Sequence, residues 1–153
     1  MADSEPRVFL DTNVIFSALY FSRGSPGRIL EYGIAGHCSI VISRQVLEEL
    51  IRTIKMKFPR ALPALRKLLE SIPLEITADP TPEEIRRWIK QIPPADAAIL
   101  AAAMAAKVDY FVTGDNHFLS NSALINEAGL NIVSPTQLMV FLEQKNTGIQ
   151  RMI

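Results

Sequence analysis

Asp11, Glu49, Asp96 and Asp115 are the side chains best placed to do chemistry in this 153-residue chain. Asp11 follows the apolar run Val8-Phe9-Leu10, and Asp115 follows Tyr110-Phe111-Val112-Thr113-Gly114. Asp96 opens the alanine-rich run PPADAAILAAAMAA, while Glu49, in SRQVLEEL, projects from a helical pattern. In an open α/β sheet, groups at the carboxyl ends of strands converge on one crevice, which is where such folds bind ligands. Carboxylates gathered there repel one another unless a cation joins them, and hard oxygen donors select magnesium or manganese. Such an ion lowers the pKa of a bound water and neutralises charge on a phosphodiester in the transition state, often with a second ion roughly 4 Å away. Metal-dependent phosphodiester hydrolysis is therefore the leading expectation.

The elements that must position these acids alternate along the chain. Short β-rich runs are separated by helical patterns, the signature of a parallel sheet wrapped by helices. The strands are expected at Arg7–Leu10, Ser39–Ile42, Leu74–Ile76, Tyr110–Thr113 and Asn131–Val133. Ser25 is expected to cap a helix with Pro26 at its first position. Ser43 should cap a helix running to about Lys57, whose apolar stripe is Leu47, Leu50, Ile51, Ile54 and Phe58. Pro59 and Pro63 set off a further helix ending near Ser71. Thr81 to Glu84 reads as a capping box opening a helix over Glu83–Gln91, which Pro93-Pro94 stops just before Asp96. Ser134 to Gln137 repeats that logic at the last helix. No repeat, linker or low-complexity tract interrupts the pattern, so a single domain over 1–153 is expected, with its core at about 7–144.

Each acid also has a plainer role open to it. Asp11 and Asp96 are good helix caps, and Gly114-Asp115-Asn116 suits an ordinary turn. Glu49 fits a solvated helix face, and periodicity does not choose between it and Glu48. Topology favours the sharper reading, because caps have no reason to share a crevice whereas two strand-end acids and a helix-start acid do. Other chemistries fare worse. His37 and His117 have no zinc-like spacing, and Cys38 lies in the apolar run CSIVIS, the setting of a core residue in a reducing compartment. The glycines match neither the dinucleotide fingerprint nor the P-loop.

Composition bounds the partners. With 48% hydrophobic and 21% charged residues the chain is expected to fold as a globule. Its formal net charge is zero, so no global basic field advertises nucleic acid. The charge is unevenly spread, however. Arg44 to Lys67 carries seven basic residues, Arg44, Arg52 and Lys55 among them, against two acids. That excess of five would attract a nucleic-acid backbone beside the acidic crevice, and equally suits a solvated helical hairpin. Phe118 could stack on bases, whereas Phe58 suits the core. The polar start MADSEPR has no signal-peptide core, and the longest apolar stretch, Ala97 to Ala106, is about half a membrane span. A cytoplasmic protein with no membrane segment is expected.

Taken together, these motifs resemble the PIN domain family, and within it the VapC-type toxins of toxin–antitoxin systems. The resemblance runs from about Val8 to Leu142. VFLDTNVIFSAL looks like the first motif, with Asp11 as the metal-binding acid and Thr12 and Asn13 supporting it. VISRQVLEELIRTI looks like the second, whose acid precedes Leu, which singles out Glu49. PPADAAILAAAMAAKVDYFVTGDNHFL looks like the joined third and fourth motifs, giving Asp96 and Asp115, with Thr113 at the family's Ser/Thr position. The resemblance implies a three-layer α/β/α fold around a central parallel sheet of about five strands and a Mg2+- or Mn2+-dependent endoribonuclease. It also implies frequent homodimers and, in the toxin branch, a small antitoxin that covers the acidic site. The chain departs from many relatives in having Pro93, Pro94 and Ala95 before Asp96, and Asn116 and His117 after the Gly-Asp pair.

Two other readings belong beside this one. A haloacid-dehalogenase-like phosphatase also places an Asp after its first strand and a late Gly-Asp, but it needs a second acid two residues on, where Asn13 stands. A degenerate PIN module would bind RNA or protein without cleaving anything.

Overall fold

Val8, Phe9 and Leu10 are wholly enclosed, as expected of a central strand in a parallel sheet covered on both faces. The computed structural model describes residues 5–152. Its sheet has five parallel strands: β1 (Arg7–Leu10), β2 (Ser39–Ser43), β3 (Glu75–Thr77), β4 (Tyr110–Val112) and β5 (Asn131–Val133). Their spatial order is β3-β2-β1-β4-β5. Phe9 pairs in register with Phe111, and their rings stack 5.5 Å apart at 8°.

The chain leaves β1 in one direction and later returns to its other side. Helices α1 (Thr12–Tyr20) and α2 (Ser25–Ile34) lead from β1 to β2, and α3 (Arg44–Lys57) and α4 (Leu62–Ser71) lead on to β3. Then α5 (Pro82–Arg86) and α6 (Pro94–Ala105) carry it back to β4, and α7 (Asn116–Leu119) and α8 (Ser122–Ala128) carry it out to β5. Right-handed crossovers put these two groups of helices on opposite faces, giving three layers. The last helix, α9 (Pro135–Met152), packs against α2 and β4. The sequence-expected α/β/α architecture with five parallel strands is the one found.

Local signals explain most boundaries. The Ser43 hydroxyl accepts from the Val46 N–H and starts α3. Thr81 and Glu84 form the expected capping box, and Ser134 and Gln137 bond reciprocally at the start of α9. Helix α6 is apolar on every side, with Ala97, Ile99, Leu100, Ala101, Ala102 and Ala103 all buried, so it lies within the core rather than upon it. Gly129, at φ 62°, ends α8 in the left-handed conformation that glycine adopts without penalty. No helix among the described residues is long and apolar enough to cross a membrane.

Several boundaries differ from expectation: β2 runs one residue further, to Ser43, and β4 stops one residue earlier, at Val112. The cap position of α2 is Gly24, not Ser25, which is already helical and makes no cap bond. Strand β3 is shifted by one residue, starting at Glu75 rather than Leu74. The helix expected over Glu83–Gln91 stops at Arg86 and continues as turns, with the Trp88 N–H bonding Ile85 O and the Gln91 N–H bonding Trp88 O. Those tighter turns accompany burial of the Trp88 indole, which is 1% exposed. The largest side chain in the segment thus enters the core, and packing overrides local helix propensity.

Candidate metal centre at the carboxyl end of the sheet

The strand order reverses between β1 and β4, and in an open α/β sheet such a reversal opens a crevice beyond the strand ends. Asp11 follows β1 at this point, and its backbone N–H bonds Val112 O at the end of β4 (2.9 Å). Thr113, Gly114 and Asp115 follow β4 directly. Helix α3 enters from β2 carrying Glu49, and the first turn of α6 brings Asp96. The four acids therefore come from four segments that the fold gathers at one edge.

Asp11 is 6% exposed, and three donors meet its carboxylate. Oδ1 accepts from the Thr12 N–H at 2.8 Å, and Oδ2 accepts from Asn13 Nδ2 at 3.1 Å and the Thr113 hydroxyl at 2.8 Å. Asp11 is thus also the N-cap of α1, and capping leaves it close to the charges of Asp96 and Glu49. Both helpers reach across to the far strand. The Thr113 hydroxyl accepts from the Asp115 N–H (3.0 Å), and Asn13 Oδ1 accepts from the Gly114 N–H (2.9 Å). A Cβ on Gly114 would sit 3.2 Å from Asn13 Oδ1, so a side chain there would press on the bridge. Burial pushes the Asp11 carboxyl up to about 6, the nearby charges of Asp96 and Glu49 add to the rise, and the Thr113 and Thr12 donors oppose it.

Glu49 faces the crevice and Glu48 does not. Glu49 Oε2 accepts from the Thr12 hydroxyl at 3.1 Å and Oε1 from Gln45 Nε2 at 3.1 Å. Gln45 Nε2 also reaches Ala95 O at 3.1 Å, linking α3 to the start of α6. Glu48 is exposed and pairs instead with Arg44 at 3.0 Å.

Asp96 lies one turn inside α6, because Pro93 rather than Asp96 occupies the cap position. Its side chain is 21% exposed. Burial raises its pKa, the Asp115 carboxylate raises it further, and His117 opposes the shift. Asp115 caps α7 by accepting from the His117 N–H at 2.9 Å. One ligand-type atom each from Asp96, Asp115 and His117 falls within a 4.8 Å span. His117 and Gln45 were not singled out from sequence. The only signal for either was position: His117 two residues after Asp115, Gln45 one helical turn before Glu49.

The remaining expected site residues separate into two groups. Thr12, Asn13 and Thr113 all contact the acids. Arg44, Arg52 and Lys55 are exposed on α3. Arg44 contacts Asp79 at 3.7 Å as well as Glu48, so its charge is locally matched. Phe118 is fully buried against Phe111 (ring centroids 5.0 Å apart) and offers nothing to a base. Cys38 is buried, which pushes its thiol up to about 11 and rules out a resting thiolate nucleophile.

Comparison with known proteins agrees with this fold. Residues 7–117 match the profile of the PIN domain. No curated protein matches the chain by sequence. Among solved structures, the chain resembles VapBC2 from Rickettsia felis, bound to a DNA fragment from their promoter, at 20% identity and a TM-score of 0.62, covering 84% of this chain and 98% of that one. It resembles DNA-bound VapBC from Salmonella typhimurium at 18% identity and TM-score 0.63, covering 85% and 98%. PAE2754 from Pyrobaculum aerophilum gives 15% identity and TM-score 0.66, covering 92% and 90%. At these identities the likeness is one of fold.

Proposed function

The chain belongs to the PIN domain family, and from that membership we propose that it is a single-domain, metal-dependent endoribonuclease of the VapC toxin type. The observation that carries the reading is the convergence of Asp11, Glu49, Asp96 and Asp115 on the reversal point of the sheet.

The donor set suits the divalent ion that the family implies. Asp11 is a buried carboxylate near two others, an arrangement that is unfavourable until a cation balances it. Asp11 and Asp96 are the proposed principal ligands, with Glu49 and Asp115 assisting directly or through water. Magnesium, which keeps several waters and takes few carboxylates, fits such a set, as does manganese. When bound, the ion supplies an activated water and charge neutralisation at phosphorus. Thr113 and Asn13 hold Asp11 in position, Thr12 and Gln45 orient Glu49, and no side-chain nucleophile is required.

Arg52 and Lys55, exposed on α3, are the proposed backbone contacts for RNA, with Arg44 contributing less because of its two acidic partners. By analogy with the VapBC structures we further propose a small antitoxin as neutralising partner, and the family resemblance adds a homodimeric state and a cytoplasmic location to the proposal. A phosphatase that forms a phosphoaspartate is disfavoured by Asn13, whose amide is committed to Asp11 and Gly114 where that chemistry needs an acid. A binding-only module is disfavoured by four acids all directed to one crevice. Titrating Mg2+ or Mn2+ into the purified protein with defined RNAs tests the proposal. Metal-dependent internal cleavage is expected, and its absence with every RNA and both metals would refute the assignment.

A further inference from the structure

His117 is the polar side chain at the crevice that the proposed mechanism leaves without a task. Its Nδ1 lies 3.5 Å from Asp115 Oδ1 and 3.8 Å from Asp96 Oδ2, both beyond the roughly 2.7–3.2 Å of a good N–H···O bond. Its backbone N–H is fixed by Asp115 Oδ1 at 2.9 Å. The ring therefore sits on the same turn as one acid and faces another across the crevice. Its side chain is 67% exposed, so nothing packed around it prevents a small rotation. An ion with ligands at about 2.1 Å separates neighbouring donors by about 3 Å and opposed donors by about 4.2 Å. The three atoms, all within 4.8 Å, are close to that spacing.

The chemistry of the third donor sets the choice of ion. Oxygen-only sites suit magnesium, whereas an imidazole nitrogen is a ligand for transition metals. We propose that His117 supplies a nitrogen ligand, beside the carboxylates of Asp96 and Asp115, to the divalent ion of the crevice, and so tilts this site from Mg2+ towards Mn2+. The inference rests on the metal-dependent reading above and adds to it a specific ligand and a metal preference. His37, the other histidine, packs against Tyr32 (5.5 Å between rings) on the loop before β2 and serves as the internal control.

Mn2+ bound to the protein without substrate, observed by pulsed electron paramagnetic resonance, tests this directly. The wild type is expected to show coupling to an imidazole nitrogen that persists in His37→Ala and disappears in His117→Ala. Calorimetry should show Mn2+ affinity falling at least about tenfold in His117→Ala, a loss of the size that even outer-shell partners produce, with little change for Mg2+. His117→Asp should restore binding without the nitrogen signal and move the preference towards Mg2+. Mn2+ bound at the acids with no nitrogen coupling in the wild type would overturn the His117 assignment and leave the nuclease reading standing. No Mn2+ or Mg2+ binding at all would overturn both.

Discussion

Asp11 is 6% exposed and meets three hydrogen-bond donors, whereas Asp96, Asp115 and His117 across the same crevice are 21%, 32% and 67% exposed. One side is a finished network, in which every donor removed costs a buried carboxylate one of its partners. The other side is a set of ligand-type atoms drawn together with little to bond them to each other. The difference shows where rigidity is stored. Asp11 is held at the junction of β1 and β4 by the same bonds that join the two strand ends, so its position comes from the fold. Asp96 and Asp115 are more open to solvent, where an incoming ion would meet them first.

The largest test of this contrast is Asp11→Asn. Losing the charge of a principal ligand should lower metal-dependent RNA cleavage at least about a thousandfold, as expected for several kcal/mol of lost transition-state stabilisation. Circular dichroism should remain native. Full activity in that variant would show that the buried side of the crevice is only a helix cap.

Next comes pH. The Asp11 carboxyl is raised in the folded protein from 3.8 to about 6, so the folded state binds a proton more tightly than the unfolded state does. Its contribution to stability is fully present below about 3.8 and is lost as pH rises through about 6. Asp96, raised in the same direction, adds to the trend. The full shift of about two units corresponds to roughly 3 kcal/mol, about half of which falls between pH 5 and pH 7.5. Metal-free protein should therefore resist urea better at pH 5 than at pH 7.5, and Mg2+ or Mn2+ should narrow the gap by binding the ionised acids. A metal-free protein that is more stable at pH 7.5 would contradict the buried-carboxylate account.

Thr113→Val sharpens the comparison further. It keeps the shape but removes the hydroxyl that donates to Asp11 and accepts from the Asp115 N–H. Asp11 Oδ2 would keep only the Asn13 donor and the part-buried Asp115 N–H would lose its acceptor, which should lower stability by about 1–3 kcal/mol. Cleavage should fall about 10- to 100-fold, the effect typical of residues that orient metal ligands. A variant that loses stability yet keeps full activity would separate the scaffold from the site. The smallest effect is expected from Gln45→Ala, which frees Glu49 Oε1 and the link to Ala95. A severalfold drop in cleavage and less than about 1 kcal/mol of stability are expected for this partly exposed bond, and steady-state kinetics with urea titration would measure both.

The layered fold was legible because apolar runs, helix caps and prolines are local signals. Arg7–Leu10 and Asn131–Val133 have the expected limits, since each pairs an apolar run with an abrupt polar exit. The helix after Thr81 was overestimated because Trp88 enters the core, a tertiary preference that no local pattern announces. In the site, the strand-end acids were visible from position alone, while Glu49 needed the family resemblance to separate it from Glu48. The structure supplies a physical reason, the Thr12 hydroxyl bonded to one and Arg44 to the other. The bridge from Asn13 to Gly114 spans 101 residues and leaves no trace in either segment. His117 was set aside for lack of a zinc-like spacing, because one of its neighbours in space, Asp96, comes from a different segment.

The strand order also sets a timetable. Asp11 and Glu49 emerge early in synthesis and Asp96 follows on α6, but Asp115 arrives only after β4 slots in beside β1, beyond residue 110. Until then the growing polypeptide carries an incomplete set of acids, with no Thr113 to steady Asp11 and no Asp115 opposite. The proposed metal site is thereby incomplete for most of the time the chain is being translated.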